Sequence, residues 1–163
     1  MIFTGFFEHS IDAKNRLAIP SKIRSRMNPK RDGKGFVMVP GQPANTLWLY
    51  TERHFEMLAE RADSVLIPDD DQLQFEQIFF TLAEFLDVDA QGRILVPERM
   101  LARARLGREV VICGVRDHLE IRPRKDFENQ IDEAWEQYRE YQLRARKAYM
   151  DSTRQAGPEA GKT

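Results

Sequence analysis

Asp12-Ala13-Lys14-Asn15-Arg16 and Asp89-Ala90-Gln91-Gly92-Arg93 are two copies of one pattern, and the remainder of the chain is arranged around them. Each is preceded by an apolar residue, Ile11 or Val88, and followed by an apolar run that ends in proline, Pro20 or Pro97. Every matched position is offset by 77 residues, and the match holds its register over nine positions. One supersecondary unit has therefore been used twice, too few times for a solenoid.

The pattern predicts a β-hairpin turn. An aspartate that opens a turn accepts hydrogen bonds from backbone amides two residues on, and the fourth position holds Asn15 or Gly92, the residue types that best tolerate positive φ. Asp12, Asn15, Asp89 and Gly92 are thus expected to shape the turns. Leu17-Ala18-Ile19 and Ile94-Leu95-Val96 are apolar runs suited to a buried strand, which each proline then stops.

Working outward, residues 1–50 read mostly as strands: Ile2 to Phe7, Leu17 to Ile19, Phe36 to Val39 and Leu47 to Tyr50, with turns at Asn28 to Gly35 and Pro40 to Asn45. Ser21 is placed to cap a short helix to Met27, and Thr51 to cap a helix from Glu52 to Ala62. Asp69, Asp70 and Asp71 open a linking helix, where acids complement the dipole. The second copy repeats the order: a hairpin to Val96, a helix from Glu98 to Ala104, and strands Val110 to Cys113 and Leu119 to Ile121. From Asp126 to Met150 a single helix of roughly 37 Å is expected at 1.5 Å per residue. Its residues Phe127, Ile131, Ala134, Tyr138, Tyr141, Ala145 and Ala148 form a heptad seam, to pack on the body or on a neighbouring subunit.

The division that follows is 1–62 for a first half with its helix, 63–84 for the linking helix, 85–125 for a second half, 126–150 for the C-terminal helix and 151–163 for a disordered tail. A chain of 163 residues with 42% hydrophobic content buries a normal core. No run of 18 apolar residues and no signal-peptide pattern is present, so a cytoplasmic protein without membrane contact is expected. The lone Cys113, inside Val110-Val111-Ile112-Cys113, reads as a buried, inert thiol.

Net charge is −1, but it is segregated: residues 14–34 carry +7 and residues 52–89 carry −9. Segregation can build one positive face for a polyanion, although charge alone fits a solvated surface equally well. Catalytic constellations are thin. His9, His54 and His118 are scattered without a second ligand at metal spacing, so neither metal nor cofactor is expected. Gly157 and Gly161-Lys162-Thr163 lack the spacing and the following helix of a phosphate loop. No nucleophile, base and orienter group emerges, and the chain is not expected to be an enzyme.

Taken together, Phe6-Phe7-Glu8-His9-Ser10-Ile11-Asp12-Ala13-Lys14-Asn15-Arg16-Leu17, the second Asp89-to-Arg93 motif and Gly114-Val115-Arg116-Asp117-His118-Leu119-Glu120-Ile121 resemble the MraZ family over about residues 1–145. The resemblance implies an α+β fold of tandem, pseudo-symmetric AbrB-like β-barrel halves with swapped hairpins, flanking helices and a long C-terminal helix. It also implies a nucleoid-associated bacterial transcriptional regulator of a division and cell-wall gene cluster, assembled as a ring of identical chains. Its partner would be double-stranded promoter DNA carrying short direct repeats. Asn15 departs from the glycine usual in the family, while the rest of the motif is retained.

The chemistry of the first hairpin suits that role. A two-stranded β-ribbon fits the major groove, where Arg16 can pair bidentately with guanine O6 and N7 while Lys14 meets phosphate. Lys22 and Arg24 are further candidates for phosphate contacts, and Arg93 is the counterpart of Arg16. The alternative for both arginines is a simple ion pair with Asp12 or Asp89 across the turn. One hairpin reads few bases, so several heads on repeated sites would be needed. The competing function is a ring-forming interaction scaffold, or an antitoxin-like regulator that holds a protein partner.

Overall fold

Proline and glycine punctuate the N-terminal half into short elements. The computed structural model describes residues 1–62 and 70–155. Strand β1 (Phe6–Ser10) begins later than expected, because Gly5 takes φ 84° and breaks it from Phe3, which bridges separately to Arg116. The first motif turn leads into β2 (Arg16–Ala18), and Pro20 ends it. Helix α1 (Ser21–Arg24) follows, with Pro20 rather than Ser21 at the cap: the Pro20 carbonyl accepts from Ile23 and Arg24, and no side chain caps the end. Residues expected as a plain turn contain α2 (Pro29–Asp32), started by Asn28, whose side chain accepts from the Lys30 amide, and by Pro29 at the first helical position.

Strands β3 (Phe36–Pro40) and β4 (Leu47–Thr51) form a hairpin, and Thr51 Oγ1 accepts from the His54 amide at 3.3 Å to start α3 (Glu52–Ala62) as the sequence predicts. Helix α4 (Asp70–Leu82) carries Asp70 and Asp71 in its first turn; Asp69 lies outside the described residues. The second half gives β5 (Glu84–Leu86), β6 (Arg93–Leu95), α5 (Glu98–Ala104), β7 (Glu109–Val115) and β8 (His118–Pro123).

Periodicity and turn signals do not announce how these strands pair. Six of them form one sheet in the order β1-β7-β8-β4-β3-β5, and β2 pairs with β6 in a separate ribbon. The first strand of each half therefore lies against the third strand of the other, β1 on β7 and β5 on β3. Replacing every strand by its counterpart reverses the order of the sheet and leaves it unchanged, which defines a pseudo-dyad. The axis passes between Leu17 and Ile94 in the ribbon and between β4 and β8 in the sheet. The fold is α+β with a mostly antiparallel sheet, and its two halves exchange strands.

Alternation sorts the side chains into two cores. Phe36 and Met38 of β3 join Leu17 and Ile94 of the ribbon in one cluster. Val37 and Val39 point the other way, with Tyr50 and Phe55, towards α3 and α4. Both faces of β3 are thus buried. Cys113 is buried as expected, and burial pushes its thiol up to about 11.

Residues Met1–Arg124 make one body and the chain from Lys125 a second. The second is helical, but the single helix expected is two, α6 (Arg124–Glu136) and α7 (Tyr138–Gln155). They meet at Gln137, whose amide still donates to Glu133 O at 3.0 Å and whose side chain accepts from Tyr141 Oη at 2.9 Å. Helix α7 runs past Met150, so part of the expected tail is helical; residues 156–163, with the Gly161-Lys162-Thr163 segment, lie outside the described residues. Along the seam Tyr138, Tyr141, Ala145 and Ala148 are exposed.

On the α3 side, His118 Nδ1 lies 2.8 Å from Asp117 Oδ1 and its Nε2 3.5 Å from Glu120. His54 Nε2 lies 3.6 Å from the same Asp117, and the Tyr50 ring stacks on His54. Burial pushes the His118 pKa down, but the Glu120 and Asp117 carboxylates more than offset it, so the imidazole titrates above its usual 6.5. A group raised on folding stabilises below its unfolded pKa and loses that contribution as pH rises through the folded value. Urea midpoints of the wild type are therefore expected to fall as pH is raised from 6.5 through that titration, and His118→Phe should flatten the profile. An equal slope in the variant would contradict this assignment.

Candidate nucleic-acid interface

The two motifs fold into the same turn. Asp12 Oδ1 accepts from the Lys14 and Arg16 amides at 2.8 and 2.9 Å, and Asp89 Oδ1 from the Gln91 and Arg93 amides at 2.9 Å each. The backbone closes alike: Asn15 N–H donates to Asp12 O at 3.0 Å, and Gly92 N–H to Asp89 O at 2.8 Å. Asn15 at φ 59° and Gly92 at φ 77° occupy the left-handed region that this turn requires. Asparagine reproduces the glycine turn here.

Each arginine pairs with its own aspartate. Arg16 Nε donates to Asp12 Oδ2 at 2.7 Å, while Arg93 donates through Nε at 2.9 Å and Nη2 at 2.8 Å to Asp89 Oδ2. The ion-pair alternative is thus realised in both copies, yet it leaves donors available. Among the described residues neither terminal amine of Arg16 has a further acceptor, and one terminal amine of Arg93 has none. The aspartate fixes the direction in which the remaining donors point. The Arg16 amide, then its guanidinium and the Lys14 amide, hold Asp12 down to about 2 against the opposing effect of burial, and the same kinds of bond lower Asp89. Both carboxylates stay charged at neutral pH.

The ribbon register decides what the turns present. Arg16 faces Leu95, Leu17 faces Ile94 and Ala18 faces Arg93. Leu17 and Ile94 are fully buried, so Arg16, Ala18, Arg93 and Leu95 occupy the outer face, with Leu95 61% exposed. Because the ribbon is antiparallel, the turns flank its two ends. Symmetric bonds tie each strand to the opposite turn: Ile19 N–H donates to Gly92 O at 2.9 Å, and Val96 N–H to Asn15 O at 2.8 Å.

Strand exchange also redistributes the basic residues. Lys14 lies at the exposed tip of the first turn. Arg24, from the first half, lies over the second turn, where a Cβ on Gly92 would meet its guanidinium carbon at 2.4 Å, and its Nε donates to Ile19 O at 3.0 Å. Arg108, from the second half, donates to Asp12 O at 2.5 Å and Ile11 O at 3.3 Å. Each turn is thus buttressed by an arginine of the other half. Lys22 is exposed beside the N-terminal segment Met1–Phe7, as part of a groove of about 640 Å³ that no residue of either turn lines. The cationic cluster read along residues 14–34 is therefore spread over the surface. Arg108 was visible in the sequence only as one more basic residue, because nothing local shows that it reaches back 96 residues.

Among the described residues no group of three His, Cys, Asp or Glu side chains can hold a metal ion, and no helix is long and apolar enough to cross a membrane. A model of the MraZ protein family, whose description adds the term antitoxin-like, matches residues 2–75 and 79–148. The chain belongs to the MraZ family. The two matched segments each contain one Asp-to-Arg turn, so the family match and the internal repeat coincide. Three relatives, each named transcriptional regulator MraZ, resemble this MraZ-family chain closely. That of Clostridium tetani is 30% identical over 80% of this chain and 88% of its own length. That of Thermomicrobium roseum is 38% identical over 74% and 80%, and that of Acetivibrio thermocellus 34% over 78% and 85%.

Proposed function

We propose that the chain is a sequence-specific DNA-binding transcriptional regulator whose reading surface is the outer face of the β2–β6 ribbon with its two turns. The carrying observation is the pair of matched turns, in which an aspartate holds an arginine by its Nε and leaves at least one terminal amine without an acceptor among the described residues. In the major groove Arg16 pairs with guanine, Arg93 does the same at the other end of the ribbon, and Lys14 and Arg24 meet phosphates. Lys22 makes a more distant phosphate contact. The exchanged strands support an AbrB-type swapped-hairpin architecture with barrel-like halves.

The assembly is a homo-oligomeric ring that places several heads on short direct repeats in the promoter of a division and cell-wall gene cluster, in the cytoplasm at the nucleoid. Multiplying weak heads on one duplex raises affinity without any new contact. The test is selection of a randomised duplex library by the full chain. A short guanine-containing word, repeated at constant spacing, should be enriched by the wild type and not by Arg16→Ala. Equal recovery of all sequences by both proteins would favour a scaffold or an antitoxin-like regulator with a protein partner.

A further inference from the structure

We propose that the groove between the N-terminal segment and α1 takes an acidic, partly apolar peptide segment of a partner protein. The groove holds about 640 Å³. Phe3 and Ile23, both buried, line it from the core, while Ile2 and Phe6 beside them are 66% and 55% exposed. Solvent-facing apolar side chains grouped along one groove mark an interaction surface. Its charged side chains are Lys22 and Arg26, and no aspartate or glutamate lines it. Both cations are exposed, and neither has an acidic partner among the described residues.

The pseudo-dyad identifies the missing group. The offset of 77 residues that relates the two motifs carries Lys22 to Arg99, Ile23 to Met100 and Arg26 to Arg103, and it carries Gly5 to Leu82 and Phe7 to Glu84. In the second half Arg99 is ion-paired with Glu84. Leu82, the last residue of α4, joins Met100 and Arg103 around a cleft of only about 180 Å³. The chain itself thus supplies a carboxylate and an apolar cover there. In the first half Phe7 stands in place of that carboxylate and Gly5 in place of Leu82, and the wider groove leaves Lys22 without a counter-charge. An acidic side chain next to an apolar one, brought by a second protein, gives Lys22 and Ile23 what Glu84 and Leu82 give Arg99 and Met100. A nucleic-acid phosphate would meet the cations alone and leave Ile2 and Phe6 uncovered, whereas a peptide satisfies both parts of the surface. Its carboxylate competes for Lys22 with the phosphate contact proposed above, so the partner and DNA draw on one cation.

The test is selection of a displayed library of short random peptides on the immobilised full chain. Enriched peptides should place an aspartate or glutamate beside an apolar residue. A synthetic peptide of the enriched sequence should bind the double variant Lys22→Glu with Arg26→Glu at least about 10-fold more weakly than the wild type. Changing its acids to lysines should reverse that preference. No enrichment, or enrichment that the double variant retains, overturns the proposal. Enriched peptides with acids and no apolar neighbours overturn it as well, and leave the groove to phosphate. Both substituted side chains are exposed, so the variant is expected to fold. Independently of it, the wild-type amide resonances of residues 2–7 and 22–26 should shift when the peptide is added, and shifts confined to other residues overturn the site.

Discussion

Leu17→Ala is expected to lower folding stability by about 3–5 kcal/mol, near the top of the range for a large-to-small core change. Leu17 has no solvent exposure and faces Ile94 across the pseudo-dyad, in the cluster that also holds Phe36, Met38, Leu49 and Ile112. Its neighbours come from both halves, so a cavity there is lined by two structural repeats at once. The strand carrying it is only three residues long and is fixed by the register with β6, which leaves little room to collapse into the void. Urea unfolding followed by circular dichroism should show a lower midpoint with an unchanged slope. A loss under about 1 kcal/mol would mean that the ribbon is not seated in the core.

Gly114→Ala is the second large effect, at roughly 3 kcal/mol, and its cause is steric. A Cβ at Gly114 would lie 2.4 Å from the Thr4 amide nitrogen and 2.7 Å from the Phe3 carbonyl carbon. These are backbone atoms, held by Gly114 N–H donating to Gly5 O at 2.8 Å and by the paired bonds between Phe3 and Arg116. The N-terminal segment must therefore leave, taking the buried Phe3 out of the core. Gly107→Ala is the control, since nothing lies within 4 Å of its added carbon, and it should be near neutral. Hydrogen exchange of the Phe3 and Gly114 amides should rise in the first variant alone, and equal protection in the two would contradict the steric account.

Much of the site was legible because it is local. An aspartate, a residue tolerant of positive φ and an arginine at fixed offsets specify a turn from within five residues, and the structure repeats it twice with matching bonds. The helices Glu52–Ala62 and Glu98–Ala104 were likewise set by a Thr51 cap in one case and a preceding proline in the other. Strand exchange was expected only from the family resemblance and was not legible in the local pattern. Whether β1 pairs with a strand of its own half or with β7 depends on contacts about a hundred residues apart, and the same alternation satisfies either partner. The placement of Arg24 over Gly92 and of Arg108 on Asp12 follows from that exchange, so it was hidden with it. The break at Gln137 leaves no mark in the sequence, because neither glycine nor proline is there.

The exchange also accounts for the difference between the copies. Arg24 crowds the α-carbon of Gly92, whereas its counterpart 77 residues on is Leu101, and the first turn accepts the side chain of Asn15. Two turns with one backbone therefore carry different surroundings: Lys14 exposed beside Arg16, and Arg24 beside Arg93. Such a pair suits a surface whose two ends meet different parts of one duplex.

The most direct test of that surface is a fluorescence-anisotropy titration of a duplex bearing the selected repeats with wild type, Arg16→Ala and Lys14→Ala, at two salt concentrations and against a scrambled duplex. A bidentate guanine pair contributes about 1–3 kcal/mol, so Arg16→Ala should weaken specific binding by roughly 10- to 100-fold per head and abolish the preference over the scrambled sequence. Lys14→Ala should weaken both duplexes alike and reduce the salt dependence by about one phosphate contact per head. Arg16→Ala binding the repeats as tightly and as selectively as the wild type, with the oligomer intact, would contradict the account.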